Sequence, residues 1–122
     1  MFERNNNLDF IKEDGDTINA ELSLPIIESV FYKNSPLHDG AAIVVGNVIV
    51  ATRVTLPISK NRNINKSLGL RHKAGIGITE ESDAISIVIS EETGKLSYIK
   101  NGKICNYKND KELRDLISND LL

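Results

Sequence analysis

Three short stretches of the chain gather side chains that could do chemistry: His38-Asp39-Gly40, Arg71-His72-Lys73 and Ser90-Glu91-Glu92-Thr93-Gly94. Both histidines of the chain fall within them. An imidazole beside a carboxylate is a donor pair for a Mg²⁺-like or Mn²⁺-like ion. The Gly40-Ala41 step that follows has no side-chain bulk to keep a nucleotide off the backbone. Pro36, Asp39 and Gly40 are equally the ordinary residues of a turn. In the second stretch, Arg71 could grip phosphate oxygens through paired hydrogen bonds and Lys73 could act as a point charge. A run of cations is more often a solvated face, but this one is flanked by Gly69 and by the small and apolar residues 74–78. The third stretch reads most simply as a hairpin connection closed by Gly94. Glu92 could still supply a hard oxygen ligand, and Ser90 a phosphate donor. None of the three defines an activity alone.

The elements that must position these residues follow from periodicity and turn chemistry. Residues 5–19 are polar, with Asp14-Gly15-Asp16 as a turn. Ser23 reads as an N-cap and Pro25 as a first-turn residue. Leu22, Ile26, Ile27, Val30 and Phe31 then recur at helical spacing until Asn34-Ser35-Pro36. Residues 41–45 and 48–51 are apolar runs joined by Gly46-Asn47, a two-residue hairpin signal of the II′ kind. Both faces of that hairpin are apolar, which places it inside a covered sheet. A long polar loop over 58–69 leads to a short helix at Arg71, weakened by Gly75 and Gly77. Residues 84–90 form a strand with Ile85, Ile87 and Ile89 alternating. Two more strands, 95–100 and 103–107, flank Asn101-Gly102, and an amphipathic helix with Leu113, Leu116, Ile117 and Leu121 closes the chain. The order implies an α/β fold, a single layered domain with a mixed central β-sheet flanked by helices.

Composition narrows the partners. The chain has 122 residues, 40% of them hydrophobic and 26% charged, enough for one folded domain. Its formal net charge of −2 supplies no global field for nucleic acid, so no nucleic-acid partner is expected. The single cysteine, Cys105, excludes an internal disulfide and reads as a half-buried strand thiol. No run approaches the roughly 20 apolar residues of a membrane span, and no secretory leader is visible.

Taken together, in order and spacing, the stretches resemble the diadenylate cyclase family, whose catalytic domain makes cyclic di-AMP from two ATP molecules. The likeness is carried by "LHDGAAIV", which matches the family's Asp-Gly-Ala motif, and by "GLRHKAGIGITEESDAISIVISEETG", which matches its Arg-His-Arg region. It extends from Glu3-Arg4 through Gly102. The resemblance implies that Asp39 and Gly40 position the reacting ribose 3′-hydroxyl, with His38, Asp39 and Glu92 supporting a divalent metal ion, Mg or Mn. It implies that Arg71, His72 and Lys73 bind the triphosphate, with Ser90 beside the phosphates and Gly40 and Ala41 against the nucleotide. Leu56 matches a residue whose backbone reads the adenine edge. Lys73 stands where the family usually has Arg, which keeps the charge and loses the fork. Leu70 replaces a commonly polar residue.

The implied reaction is attack of one ATP's 3′-hydroxyl on the other's α-phosphorus, carried out twice across a face-to-face, transient homodimer. A catalytically inactive module that binds ATP or cyclic di-AMP is the alternative. The resemblance also implies that this soluble chain lacks an N-terminal strand and a membrane anchor of its parent, which would hold the domain at the cytoplasmic face of the cell membrane.

Overall fold

The computed structural model describes residues 1–12, 14–60, 68–90 and 93–121. A four-residue helix, α1 (Asp9–Lys12), is followed by strand β1 (Asp16–Glu21). Helix α2 (Leu24–Phe31) starts as its sequence dictates: Ser23 Oγ accepts the Ile26 N–H at 3.4 Å, and Pro25 sits in the first turn. Strands β2 (Ala41–Val45) and β3 (Val48–Val54) form the expected hairpin, with Val45 opposite Val48 across the two-residue turn.

Helix α3 (Leu70–Glu81) runs for 12 residues, longer than its two glycines suggest. Strands β4 (Ile85–Ile89), β5 (Leu96–Lys100) and β6 (Lys103–Cys105) form a meander, with Lys100 opposite Lys103 at the Asn101-Gly102 turn. Helix α4 (Asp110–Leu121) ends the chain. Most of the polar loop expected over 58–69 lies outside the described residues.

Two antiparallel three-stranded ribbons result, in the orders β1-β3-β2 and β4-β5-β6. The first residues of the chain join them. Phe2 exchanges hydrogen bonds with Ile85 at 2.7 and 3.1 Å, while Val44 bonds Met1 and Glu3 at 2.8 and 2.9 Å. This bridge is parallel to β2 and antiparallel to β4, so the sheet is mixed, as its sequence implies. The hairpin's inner strand, β2, lies between β3 and this bridge, which accounts for its apolar character on both faces.

The β4–β5 ribbon is covered on both sides. Val88 and Ile99 pack against Ile76 of α3, while the alternate residues Ile85 and Tyr98 pack against Leu113 of α4. The far end of α4 is pinned by Asp120, which accepts the Tyr98 hydroxyl and, at 3.0 Å, the Lys100 ammonium. Under the other ribbon, Leu8 and Ile11 from the α1 region join Ile43, Ala51 and Val54 in a second apolar cluster.

The polar segment over residues 5–19 holds an element not expected from it, β1. It is an edge strand with only Ile18 and Ala20 apolar, and its pairing with β3 slips between Thr17 and Ala20. An outer strand buries one face at most, so it carries no strong apolar signal.

Candidate active site

A cavity of about 460 Å³ opens between β2, the connection after β3, the first turns of α3, and β4. Its room comes from small residues: Gly40, Ala41 and Ala42 on one wall, Ala74 and Gly75 on the helix, and Ser86 on β4. Gly75 is pressed onto the strand, since a β-carbon there would lie 2.9 Å from Val88 Cγ2. Val54, Leu56 and Val88 supply apolar surface, the mixture expected of a site that takes a flat organic ring.

The first wall is fixed by backbone geometry. Gly40 has φ +94°, and a β-carbon on it would stand 2.9 Å from the Arg53 carbonyl carbon and 3.0 Å from the Val54 oxygen. Arg53 itself has φ 56°, with its Nε 3.4 Å from Asp16 Oδ2. The β2–β3 register shifts between Ala41 and Ile43 at the same place. Only glycine can take the turn and let the two strands approach so closely.

Just before it, the His38 ring is oriented by a carbonyl: Nδ1 lies 2.7 Å from the Ser35 oxygen. A carbonyl only accepts, so Nδ1 carries the proton, and Nε2 is turned to Asp39 Oδ1 at 3.2 Å. A neutral ring would set two lone pairs against each other there. The contact is favourable with a proton on Nε2 or with a cation shared by both groups, so the donor set fits a divalent ion. His38 is three-quarters buried on the cavity wall, whereas the Asp39 side chain is 85% exposed at the rim.

On the opposite side, α3 begins at Gly69, whose missing side chain supplies no cap of its own to the first turn. Arg71 lines the cavity, and its Nη1 donates to the Ile89 carbonyl at 3.1 Å, which ties the guanidinium to the end of β4. His72 turns toward β5, with Nε2 3.1 Å from Ser97 Oγ. Lys73 gives its carbonyl to the Ser59 N–H at 3.0 Å. Ser90 organises the turn after β4, accepting the Thr93 N–H on Oγ at 3.2 Å and the Gly94 N–H on its carbonyl at 2.9 Å.

Of the residues named from the sequence, His38, Gly40, Ala41, Leu56 and Arg71 therefore meet on one cavity, with Asp39 between two of them. His72, Lys73 and Ser90 are close in sequence to that wall but do not form it. Glu92 lies outside the described residues. Among the described residues no group of three or more His, Cys, Asp or Glu side chains converges. Sequence reasoning passed over Ala42, Ala74, Gly75 and Ser86. Ser86 did leave a signal: it is a polar residue on the inward face of a strand whose neighbours are isoleucine and valine.

The fold is that of a small α/β domain with a cavity lined by strands of both ribbons and by α3. Residues 1–104 match the family described as DisA bacterial checkpoint controller nucleotide-binding, or DAC, and the chain belongs to that family. It is 47% identical over 102 residues to diadenylate cyclase CdaS of Bacillus thuringiensis, covering 84% of this chain and 51% of that protein. It is 39% identical over 119 residues to a diadenylate cyclase of Listeria monocytogenes, covering 98% of this chain and 44% of the relative. The chain thus spans about half the length of these curated relatives. Among solved structures, a double-mutant DacA from Staphylococcus aureus superposes with a TM-score of 0.93 at 38% identity, covering 98% of this chain and 80% of the other. A hypothetical membrane spanning protein from Bacillus cereus superposes at 0.81 with 46% identity, over 84% of this chain and 50% of that one.

Proposed function

We propose that this chain is a diadenylate cyclase catalytic domain, condensing two ATP molecules into cyclic di-AMP and two pyrophosphates. The observation that carries the reading is the meeting of Gly40, Leu56 and Arg71 on one cavity. Their sequence matches concern a sugar, a base and a triphosphate, three parts of one nucleotide. The cavity's volume lies within the usual range for small-molecule sites, roughly 300–1,000 Å³.

In each step the 3′-oxygen of one ATP forms a bond to the α-phosphorus of the other. The bond from that phosphorus to the bridging oxygen breaks, and pyrophosphate leaves. Phosphoryl-type transfer asks the protein mainly for alignment and charge neutralisation. By resemblance Arg71 binds the triphosphate at the start of α3, and His72 and Lys73 belong to the same binding motif. By resemblance Asp39, exposed at the rim, orients the incoming hydroxyl, whose proton leaves to solvent or to a neighbouring base as the bond to phosphorus forms. His38 and Asp39, with Glu92 by resemblance, would hold a Mg or Mn ion. When bound, that ion lowers the hydroxyl's pKa and stabilises charge at the reacting phosphorus.

By resemblance each domain has one ATP site, so ring closure needs two copies face to face. The mouth suits that contact: Phe31, Ile58, Leu70 and Ile89 line it and are between 41% and 69% exposed. Leu70 is then a contact residue rather than a phosphate ligand. The likeness to a membrane spanning protein supports work at the cytoplasmic face of the cell membrane in the parent protein. Among the described residues no helix is long and apolar enough to cross a membrane.

The test is incubation with ATP and Mn²⁺ or Mg²⁺ over a range of protein concentrations. Cyclic di-AMP forms, and in dilute protein its rate rises more steeply than linearly as pairs assemble. ATP binding without product at any concentration leaves a binding module. Absence of ATP binding overturns both readings.

A further inference from the structure

Among the described residues, two buried side-chain oxygens have no hydrogen-bond partner, Thr52 Oγ1 and Ser86 Oγ. Ser86 is the one on the cavity wall. It is 3% exposed and projects from β4 on the face that packs against α3, with Val88 beside it and Gly75 opposite. A buried hydroxyl without a partner is costly, and apolar residues fill the neighbouring positions of the strand without that cost. Ser86, unlike Thr52, lines the cavity, so a rotation about its Cα–Cβ bond can offer the hydroxyl to what fills that space.

Its position along β4 says which part of a ligand that is. Arg71 is tied to Ile89, at the phosphate end of the site. Ser86 is three residues earlier on the same strand, about 10 Å away at about 3.3 Å per residue. Around it are Ala74, Gly75 and Val88, which offer no charge and little bulk. This is the end that takes a flat, mostly apolar ring with polar atoms on its edge. On the reading of the cavity as an ATP site, we infer that Ser86 is a specificity-determining residue whose hydroxyl hydrogen-bonds the edge of the purine. A hydroxyl can both donate and accept, so it can satisfy a ring nitrogen or an exocyclic amine. An empty site leaves it unpaired, and the correct base removes that penalty. Part of the discrimination for the base would arise in this way, because a ring that cannot reach Ser86 leaves a buried polar group unsatisfied.

The experiment compares the unaltered chain with Ser86→Ala, measuring affinity for ATP, competition by inorganic tripolyphosphate, and thermal stability without ligand. Ser86→Ala is expected to bind ATP about three- to tenfold more weakly, the effect of one net hydrogen bond. Tripolyphosphate competition should be unchanged, and the ligand-free melting temperature equal or higher because an unsatisfied group has gone. Equal ATP affinity in the two proteins overturns the role of Ser86 while the ATP site stands. Equal weakening toward ATP and tripolyphosphate, or a lower melting temperature, also overturns it, since the serine would then act on the phosphate end or on the fold. If the unaltered chain binds no ATP, the reading of the cavity fails instead, and the role of Ser86 with it.

Discussion

Gly77 lies so close to Pro57 that a β-carbon on it would stand 2.1 Å from the Pro57 carbonyl oxygen and 2.8 Å from the Ser59 nitrogen. The obstacle is backbone, which cannot swing aside as a side-chain tip can. The same segment carries Leu56 and Ile58 on the cavity wall and is tied to α3 through the Ser59–Lys73 bond. Gly77→Ala should therefore lower stability by about 1–3 kcal/mol, the usual range for overpacking. It should also weaken ATP binding, because the wall containing Leu56 is displaced. Urea unfolding and ATP titration of the variant measure the two effects, and an alanine variant as stable as its parent would contradict the contact.

Asp39 is exposed at the rim, and among the described residues its side chain meets His38 as its ion-pair partner. Asp39→Asn should leave the melting curve within about 0.5 kcal/mol of the parent, as surface changes usually do. Cyclic di-AMP synthesis should fall by at least about 100-fold, the lower range for loss of a positioned acid or base. Normal cyclisation by this variant would remove Asp39 from the chemistry.

The His38–Asp39 pair gives the metal reading a quantitative handle. Chelation of divalent ions should stop product formation, and added Mn²⁺ should restore it. In His38→Ala the ion concentration needed for half-maximal rate should rise by about tenfold or more. A rate indifferent to chelator would end the proposal that a divalent ion is held here.

Asp120 contributes to the acid limb of stability. Burial pushes its carboxyl upward, but the Tyr98 hydroxyl and the Lys100 ammonium outweigh that and hold it below the ordinary value of 3.8. Burial, followed by the bond to Asp120, pushes the Tyr98 hydroxyl well above its usual range. For a carboxyl depressed in the folded state, the stabilisation is complete above its unfolded value. It is lost as pH falls below about 4 toward the folded value. Asp120→Asn should therefore lower stability at neutral pH by about 1 kcal/mol and flatten the fall in acid. Melting temperatures of both proteins from about pH 7 to about pH 2.5 measure this directly.

What the sequence reveals depends on how each element earns its burial. The β2–β3 and β5–β6 hairpins are legible because Gly46-Asn47 and Asn101-Gly102 fix both turn and register. The β4 isoleucines and the α4 leucines each mark one buried face. Strand β1 is hidden because an edge strand with two apolar residues resembles a polar loop. The length of α3 is hidden for another reason. Gly75 and Gly77 weaken a helix locally, yet they are what let β4 and residues 57–59 approach it. Of the site, His38, Gly40 and Arg71 show themselves by type and spacing. Ser86 needs the cavity to be seen, since only the surrounding volume distinguishes its hydroxyl from that of any strand serine.

The seam made by residues 1–3 has a mechanical consequence. The wall at Gly40–Ala42 belongs to one ribbon and the wall at Ser86–Ile89 to the other, and the short bridge at Phe2 joins their strands. Tension applied along the first residues would be delivered to the backbone bonds that set the spacing of those walls. The gap that grips the ligand is thus coupled, through a few peptide groups, to whatever force reaches the front of the domain.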